Sequence, residues 1–401
     1  SPELSRTQFQ SHEEGFYMPD ALQIDAQFPG GNIVVDAIED DVVRLHQDLR
    51  DTQRDWFYWC FRVRGAAGRT LHFEFTQSQA IGARGPAIST DAGVSWAWLG
   101  QQAVQENSFS CTFDKDSDEA RFSFGMPYQQ SRWQEFIALV SEQATHREYL
   151  QQHVLCTSDH DRTIDYFLVG CNDHEPKHRV AITCRHHCCE MMASYALEGL
   201  VDWVVRDPGP DAEWLRTSTQ LFIVPFVDLD GVEAGDQGKG RHPRDHGRDY
   251  AGESLYSATA AIRQWLPDFN DGTLRVCLDL HCPWISGPRN EVIYLVGSSD
   301  QTIAAQQRRF SGILAAASTG PLPVSALDFL PFGTSWNTDD NHTDGIGFSG
   351  WAAALPDVKL SSGVEVPYAT AAGAEVNQLT AHRFGADLGT ALANFLRHLL
   401  L

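Results

Sequence analysis

At 401 residues, with 42% hydrophobic and 21% charged residues, the chain is an ordinary globular sequence, long enough for two cores. A formal net charge of −23 argues against nucleic acid or an anionic membrane as partner, and no apolar run of ~18 residues offers a membrane span. Nine cysteines without regular spacing argue against a disulfide framework and for a reducing, cytoplasmic setting, and Ser1-Pro2-Glu3-Leu4 has no signal-peptide character.

Residues 1 to about 30 show no clear period. From Gly31 the pattern is β. Trp56 to Arg64 alternates, with Phe57, Trp59, Phe61 and Val63 on one face. Arg69 to Ser78 sets Leu71, Phe73 and Phe75 against His72, Glu74 and Thr76. Phe109 to Phe113 and Ala120 to Phe124 continue the theme, separated by turn clusters such as Gly82-Ala-Arg-Gly-Pro86. Half-buried strands between turns predict an antiparallel β-sandwich as an N-terminal domain, residues 1–125.

The character changes at Gly125-Met126-Pro127-Tyr128. Helices are predicted over Arg132 to Glu142, Cys189 to Val205, Glu253 to Trp265, Thr302 to Ala317 and Leu379 to Leu400. Strands are predicted over Ile164 to Val169, Arg179 to Thr183, Gln220 to Val227, Leu274 to Leu280, Glu291 to Gly297 and Val364 to Tyr368. Residues 126–401 therefore read as an α/β domain, a mixed sheet covered by helices on both faces. In such sheets ligands gather at the carboxyl ends of strands.

One such end is Ile182-Thr-Cys-Arg-His-His-Cys-Cys-Glu190, where a strand gives way to a helix. His187 and Glu190 stand three residues apart on that turn. Hydrolytic zinc favours three protein ligands of this kind and an open position for water. The third ligand is expected from His281, at the end of the run Val276-Cys-Leu-Asp-Leu-His281. The alternative, a zinc-thiolate site through Cys188 and Cys189, conflicts with the difficulty of placing adjacent cysteines on one tetrahedron, and no C-x-x-C is present.

Five segments, in order, resemble those of the zinc carboxypeptidases, the M14 metallopeptidase group. They are Arg185-His-His-Cys-Cys-Glu190, Val224-Pro-Phe-Val-Asp-Leu-Asp-Gly231, Asp245-His-Gly-Arg248, Asp279-Leu-His281 and Ser362-Gly-Val-Glu365. Asp51-Thr-Gln-Arg-Asp-Trp56-Phe-Tyr-Trp and Met126-Pro-Tyr128 resemble segments of the cytosolic carboxypeptidase branch, which carries an N-terminal β-sandwich. The resemblance implies one zinc per chain and a peptide or protein C-terminus as substrate. It also implies Glu365 as the catalytic base, in an apolar strand where a lone glutamate is otherwise costly.

By the same resemblance, Asp245 holds the outer nitrogen of His187, as carboxylates do for ligating histidines. Arg248 grips the substrate's terminal carboxylate. Gly247 stands where the family has an asparagine beside that arginine, so one amide donor of the clamp is absent. Arg241 corresponds to the arginine that polarises the scissile carbonyl, with Arg244 as the other candidate in the same basic stretch. That stretch points to an acidic leaving residue. The family's pocket-covering tyrosine has no counterpart, and Trp336 or Trp351 is expected in its place. Two other functions fit the residues: a zinc amidohydrolase acting on N-acyl amino acids or cell-wall peptides, and a catalytically silent binding protein.

Overall fold

The structure is a computed structural model that describes residues 21–117, 119–342 and 345–399. The first twenty residues of the expected N-terminal domain, and Leu400 at the end of the expected last helix, lie outside the described residues.

Two five-stranded sheets form the N-terminal part. One orders Gln23–Asp25, Cys60–Arg64, Glu119–Ser123, Ala87–Ser89 and Ala97–Trp98, with every pair antiparallel. The other orders Val34–Glu39, Val42–His46, Thr70–Phe75, Ser108–Thr112 and Val104–Gln105. Trp59, Phe61 and Phe122 of the first side meet Phe73, Phe75 and Phe109 of the second, with ring centroids 4.8 to 6.2 Å apart. Offset and tilted aromatic pairs at this spacing add to the area they bury. One pair departs from the antiparallel expectation: Val42–His46 runs parallel to Thr70–Phe75. The chain between them crosses to the other sheet to make Cys60–Arg64, and a crossover returns it in the same direction.

The expected strand at Trp56 begins only at Cys60. Within the preceding stretch, Asp51 and Tyr58 bond to Gln237 of the second part of the chain, and Phe57 meets Trp284 and Tyr368 edge-on.

The seven-stranded sheet orders Leu150–Thr157, Thr163–Gly170, Thr219–Val224, His178–Cys184, Leu274–His281, Leu360–Glu365 and Tyr294–Leu295. Its four inner strands, Thr219–Val224 through Leu360–Glu365, are mutually parallel, and the outer pairings on both sides are antiparallel. Every residue of Leu360–Glu365 is buried, as are all but the rims of its inner neighbours. Successive side chains point to opposite faces, so both faces are covered. On Phe222 lie Trp265 and Phe269 of the helix Ser257–Asn270. The helices Met191–Arg206 and Gln378–Arg397 touch closely, because a Cβ at Gly199 would fall 1.8 Å from the His382 carbonyl oxygen.

Element bounds shift in places. The last inner strand starts at Leu360 and stops at Glu365, ahead of Pro367, which has no amide to donate. Of the expected Glu291 to Gly297 strand, Tyr294–Leu295 joins the sheet, while Ile293 and Val296 make isolated bridges to Val324 and Leu330. The helix Ser257–Asn270 runs past Trp265 and through Pro267. The strand Leu150–Thr157 and the helix Pro210–Ser218 have no counterpart in the sequence expectation. None of the helices among the described residues is long and apolar enough to cross a membrane.

Candidate metal centre and active site

Parallel register puts the ends of three strands side by side. Cys184 pairs with Leu280, and His281 pairs with Glu365. The chain leaves the first strand through Arg185, at a positive φ of 60°, and turns through His187 to Glu190, the residue before the helix Met191–Arg206. The buried Arg185 guanidinium secures this turn, donating to the Cys188 carbonyl (3.0 Å through Nε) and to the Tyr128 carbonyl (2.8 Å).

The carboxylate of Glu190 is the hub. Its Oε1 lies 2.9 Å from His187 Nδ1, and its Oε2 lies 2.7 Å from His281 Nδ1. Each imidazole has a carboxylate behind it. Asp279 Oδ2 is 2.6 Å from His281 Nε2, and Asp245 Oδ1 is 3.6 Å from His187 Nε2. A carboxylate on the outer nitrogen selects the tautomer whose inner nitrogen has a free lone pair. The ligand atoms of His187, Glu190 and His281 all lie within 4.8 Å of one another. An N, N, O set with both inner nitrogens aimed at one buried carboxylate suits zinc.

Electrostatics follow the geometry. Burial opposes charge on Glu190, but Lys239, His187 and His281 outweigh it and hold the carboxyl well below the usual range. Burial likewise works against a charged His281, yet Asp279 and Glu190 push its pKa well up. Glu365 goes the other way. Burial pushes its carboxyl up, and Oε2 has no hydrogen-bond partner among the described residues. That carboxylate lines the cleft beside His187 and His281.

The arginines separate. Arg248 lines the cleft, and its side chain meets only the Gly247 carbonyl (3.1 Å), with no ion pair among the described residues. Arg241 points elsewhere, into Asp228 (2.6 Å) and Asp236 (3.0 Å), with Asp51 at 3.6 Å. Arg244 is taken by the buried Asp249 at 2.9 Å. Neither lines the cleft, and acidic side chains of the fold neutralise both. Gly247 does line it, and a Cβ there would sit 2.8 Å from His187 Nε2.

Trp336 lines the cleft as well, whereas Trp351 packs on Tyr250, 5.5 Å between centroids. The two cysteines beside the ligands diverge from the site. Cys188 Sγ donates to the Asp236 carbonyl (3.1 Å), and burial pushes the Cys189 thiol up to about 12. All nine cysteines are free.

Three participants escape the sequence reading. Lys239 Nζ lies 2.8 Å from Glu190 Oε1 and donates to the Cys282 carbonyl at 2.7 Å. Asp279 backs His281, and the buried His186 bridges Asp279 and the Tyr250 hydroxyl, 2.8 Å on each side. Asp279 was within reach of sequence reasoning, since residues i and i+2 of a strand share a face. A second donor group, Cys171, Asp173 and His174, follows the strand Thr163–Gly170, but there Cys171 and Asp173 already engage both ring nitrogens of His174.

Residues 138–265 match the zinc carboxypeptidase family profile. Cytosolic carboxypeptidase 3 of Bos taurus is 23% identical over 352 residues, covering 77% of this chain and 34% of the relative. Cytosolic carboxypeptidase 2 of Danio rerio is 24% identical over 262 residues, covering 57% and 36%. An uncharacterized protein of Zymomonas mobilis is 26% identical, covering 52% and 54%. The chain thus spans about half or less of the length of these relatives. A metallo-carboxypeptidase from Burkholderia cenocepacia superposes with a TM-score of 0.75 at 19% identity, covering 94% of this chain and 99% of its own. The Pseudomonas aeruginosa metallo-carboxypeptidase in complex with (2-guanidinoethylmercapto)succinic acid superposes at 0.73 and 19%, with the same coverage. At this identity the likeness is one of fold.

Proposed function

From a chain that belongs to the M14 zinc carboxypeptidase family and resembles its cytosolic branch, we propose a zinc-dependent metallocarboxypeptidase that removes a C-terminal residue from a peptide or protein. The observation that carries this reading is the convergence of His187 Nδ1 and His281 Nδ1 on the two oxygens of Glu190, beside Glu365, whose Oε2 has no hydrogen-bond partner among the described residues. His187, Glu190 and His281 would hold one zinc per chain. A zinc ion there supplies Lewis acidity to a carbonyl and lowers the pKa of water.

Glu365 is the base. Its raised pKa suits taking a proton from the attacking water and returning it to the leaving amine. Asp245 and Asp279 orient the two imidazoles. Arg248, with no ion pair among the described residues, binds the terminal carboxylate bidentately. Arg241 and Arg244 take no part with substrate in this reading, because buried carboxylates already neutralise them. For the same reason an acidic leaving residue loses its support: Arg248 is the only lysine or arginine in the described cleft lining, and the terminal carboxylate uses it.

Residues 1–125 are read as the N-terminal β domain and 126–401 as the catalytic domain. The last strand of the paired sheets, Glu119–Ser123, and the first helix, Gln130–Val140, fall on either side of that boundary. The free cysteines support the cytoplasmic setting.

The test is Glu365→Gln, assayed by mass spectrometry on peptides of known C-terminus. We expect one zinc per chain in both proteins and a loss of about 100- to 10,000-fold in turnover for the variant. Turnover within a few-fold of wild type would mean that another group activates the water.

A further inference from the structure

We propose that Asp51, in the N-terminal half of the chain, is a positioning residue of the metal centre. It clamps the Asp236–His242 loop onto the turn that carries His187 and Glu190.

The clamp is made at both ends of one side chain. The Gln237 amide donates to Asp51 Oδ1 at 3.0 Å, and the Gly238 amide donates to Oδ2 at 2.9 Å. The Asp51 carbonyl accepts from the His242 amide at 3.0 Å, so the loop is tied down at its start and its finish. Gln237 is fully buried. Its side chain accepts from the Tyr58 amide (2.7 Å) and donates to the Tyr58 carbonyl (2.8 Å), as a strand neighbour would. Two backbone amides on one carboxylate form charge-assisted bonds, stronger than neutral ones.

Where the clamp presses decides its consequence. Gly238 has φ of +75°, and a Cβ there would fall 2.5 Å from the Cys188 amide nitrogen and 3.1 Å from His187 Cα. The loop therefore lies directly on the ligand turn, closer than any side chain would allow. The next residue, Lys239, reaches past the turn to Glu190 Oε1, with its ammonium 5.5 Å from the centre of the Trp56 ring. Trp56 rests on Trp284 at 4.9 Å. The N-terminal segment 48–58 thus backs the turn through Lys239 and Gly238, with no hydrogen bond or ion pair of its own to His187, Glu190 or His281 among the described residues.

The inference concerns the metal centre itself. Its catalytic consequence rests on the proposed reaction, but loop exchange and zinc release do not. Asp51→Asn keeps the shape and removes the charge on which both amides depend. Asp41→Asn is the control, since Asp41 pairs with Arg69 on the outer sheet surface. Amide hydrogen exchange is followed on peptides covering 236–242 and 187–190, and zinc release is followed with a chromophoric chelator. Asp51→Asn should raise exchange in both peptides and release zinc about tenfold faster, the scale of a lost outer partner. Asp41→Asn should change neither. On peptide substrate, kcat should fall in Asp51→Asn with KM little changed.

Wild-type exchange over 236–242 and wild-type zinc release in a folded Asp51→Asn protein would overturn the proposal. If Asp51→Asn does not fold, Thr52→Val decides on the same readouts, because it removes only the bond to the Gly240 carbonyl. There, faster exchange over 236–242 supports the clamp and unchanged exchange overturns it. Absence of peptidase activity in wild type, with the exchange and zinc effects intact, would count against the reaction and not against the clamp.

Discussion

Asp279 Oδ2 lies 2.6 Å from Nε2 of His281, two residues further along the same strand. Its other oxygen accepts from Thr183 Oγ1 at 2.9 Å and faces His186 Nδ1 at 2.8 Å. The carboxylate is therefore fixed from two sides before it fixes the imidazole. Asp279→Asn should weaken zinc binding about 10- to 100-fold, because the amide no longer selects the tautomer with a free Nδ1. Competition titration against a chelator measures this. Unchanged affinity would show that the strand alone orients His281.

Gly247 makes a second prediction. A Cβ there would meet His187 Nε2 at 2.8 Å and Asp245 Oδ1 at 3.2 Å. The imidazole cannot swing freely, since Glu190 engages its other nitrogen. Gly247→Ala should force the His187–Asp245 pair apart and cost about tenfold or more in zinc affinity. The thermal midpoint of the metal-free protein serves as the control. An alanine variant that binds zinc as wild type does would mean that the backbone yields at this point.

Arg248 predicts a preference for a free C-terminus. Matched free-acid and amidated peptides should differ in kcat/KM in wild type, and Arg248→Ala should erase the difference. The loss for an unpaired charge is on the order of 2–5 kcal/mol. A peptide ending in Glu should not outpace its Gln counterpart, because Lys239, Arg241 and Arg244 are bound to Glu190, Asp228 and Asp249. A strong preference for Glu would require a cation that enters the cleft on binding.

Asp228 gives the pH prediction. Burial would raise its pKa, but His246, Arg241 and the Gly231 amide together lower it below the ordinary value of 3.8. A carboxyl depressed in the folded state binds fewer protons there than in the unfolded chain. Its stabilisation is complete above the unfolded pKa and fades as pH falls through the folded one. Wild type should therefore lose stability steeply below about pH 4. Asp228→Asn should be less stable at neutral pH and show a shallower acid limb in denaturant titrations. Parallel limbs for the two proteins would remove Asp228 from the acid transition.

The β pattern of residues 31–125, the alternation of strands and helices after Pro127, and the gathering of His187, Glu190 and His281 as candidate ligands were legible from the sequence. Periodicity and turn residues are local, and a parallel sheet converts strand order into a shared edge, so the turn that follows Cys184 and carries His187 had to lie beside His281 once their strands paired. The sequence could not apportion the charges. Lys239, Arg241, Arg244 and Arg248 stand within ten residues and look alike in the chain. Among the described residues the first three pair with Glu190, Asp228 and Asp249, up to 49 residues away, and Arg248 makes no ion pair. The tertiary structure decides which cation is neutralised, because an ion pair depends on distance through space and on burial, and spacing along the chain encodes neither. The seat of the loop on the ligand turn was likewise hidden. It needs Asp51 and Gln237, 186 residues apart, to meet.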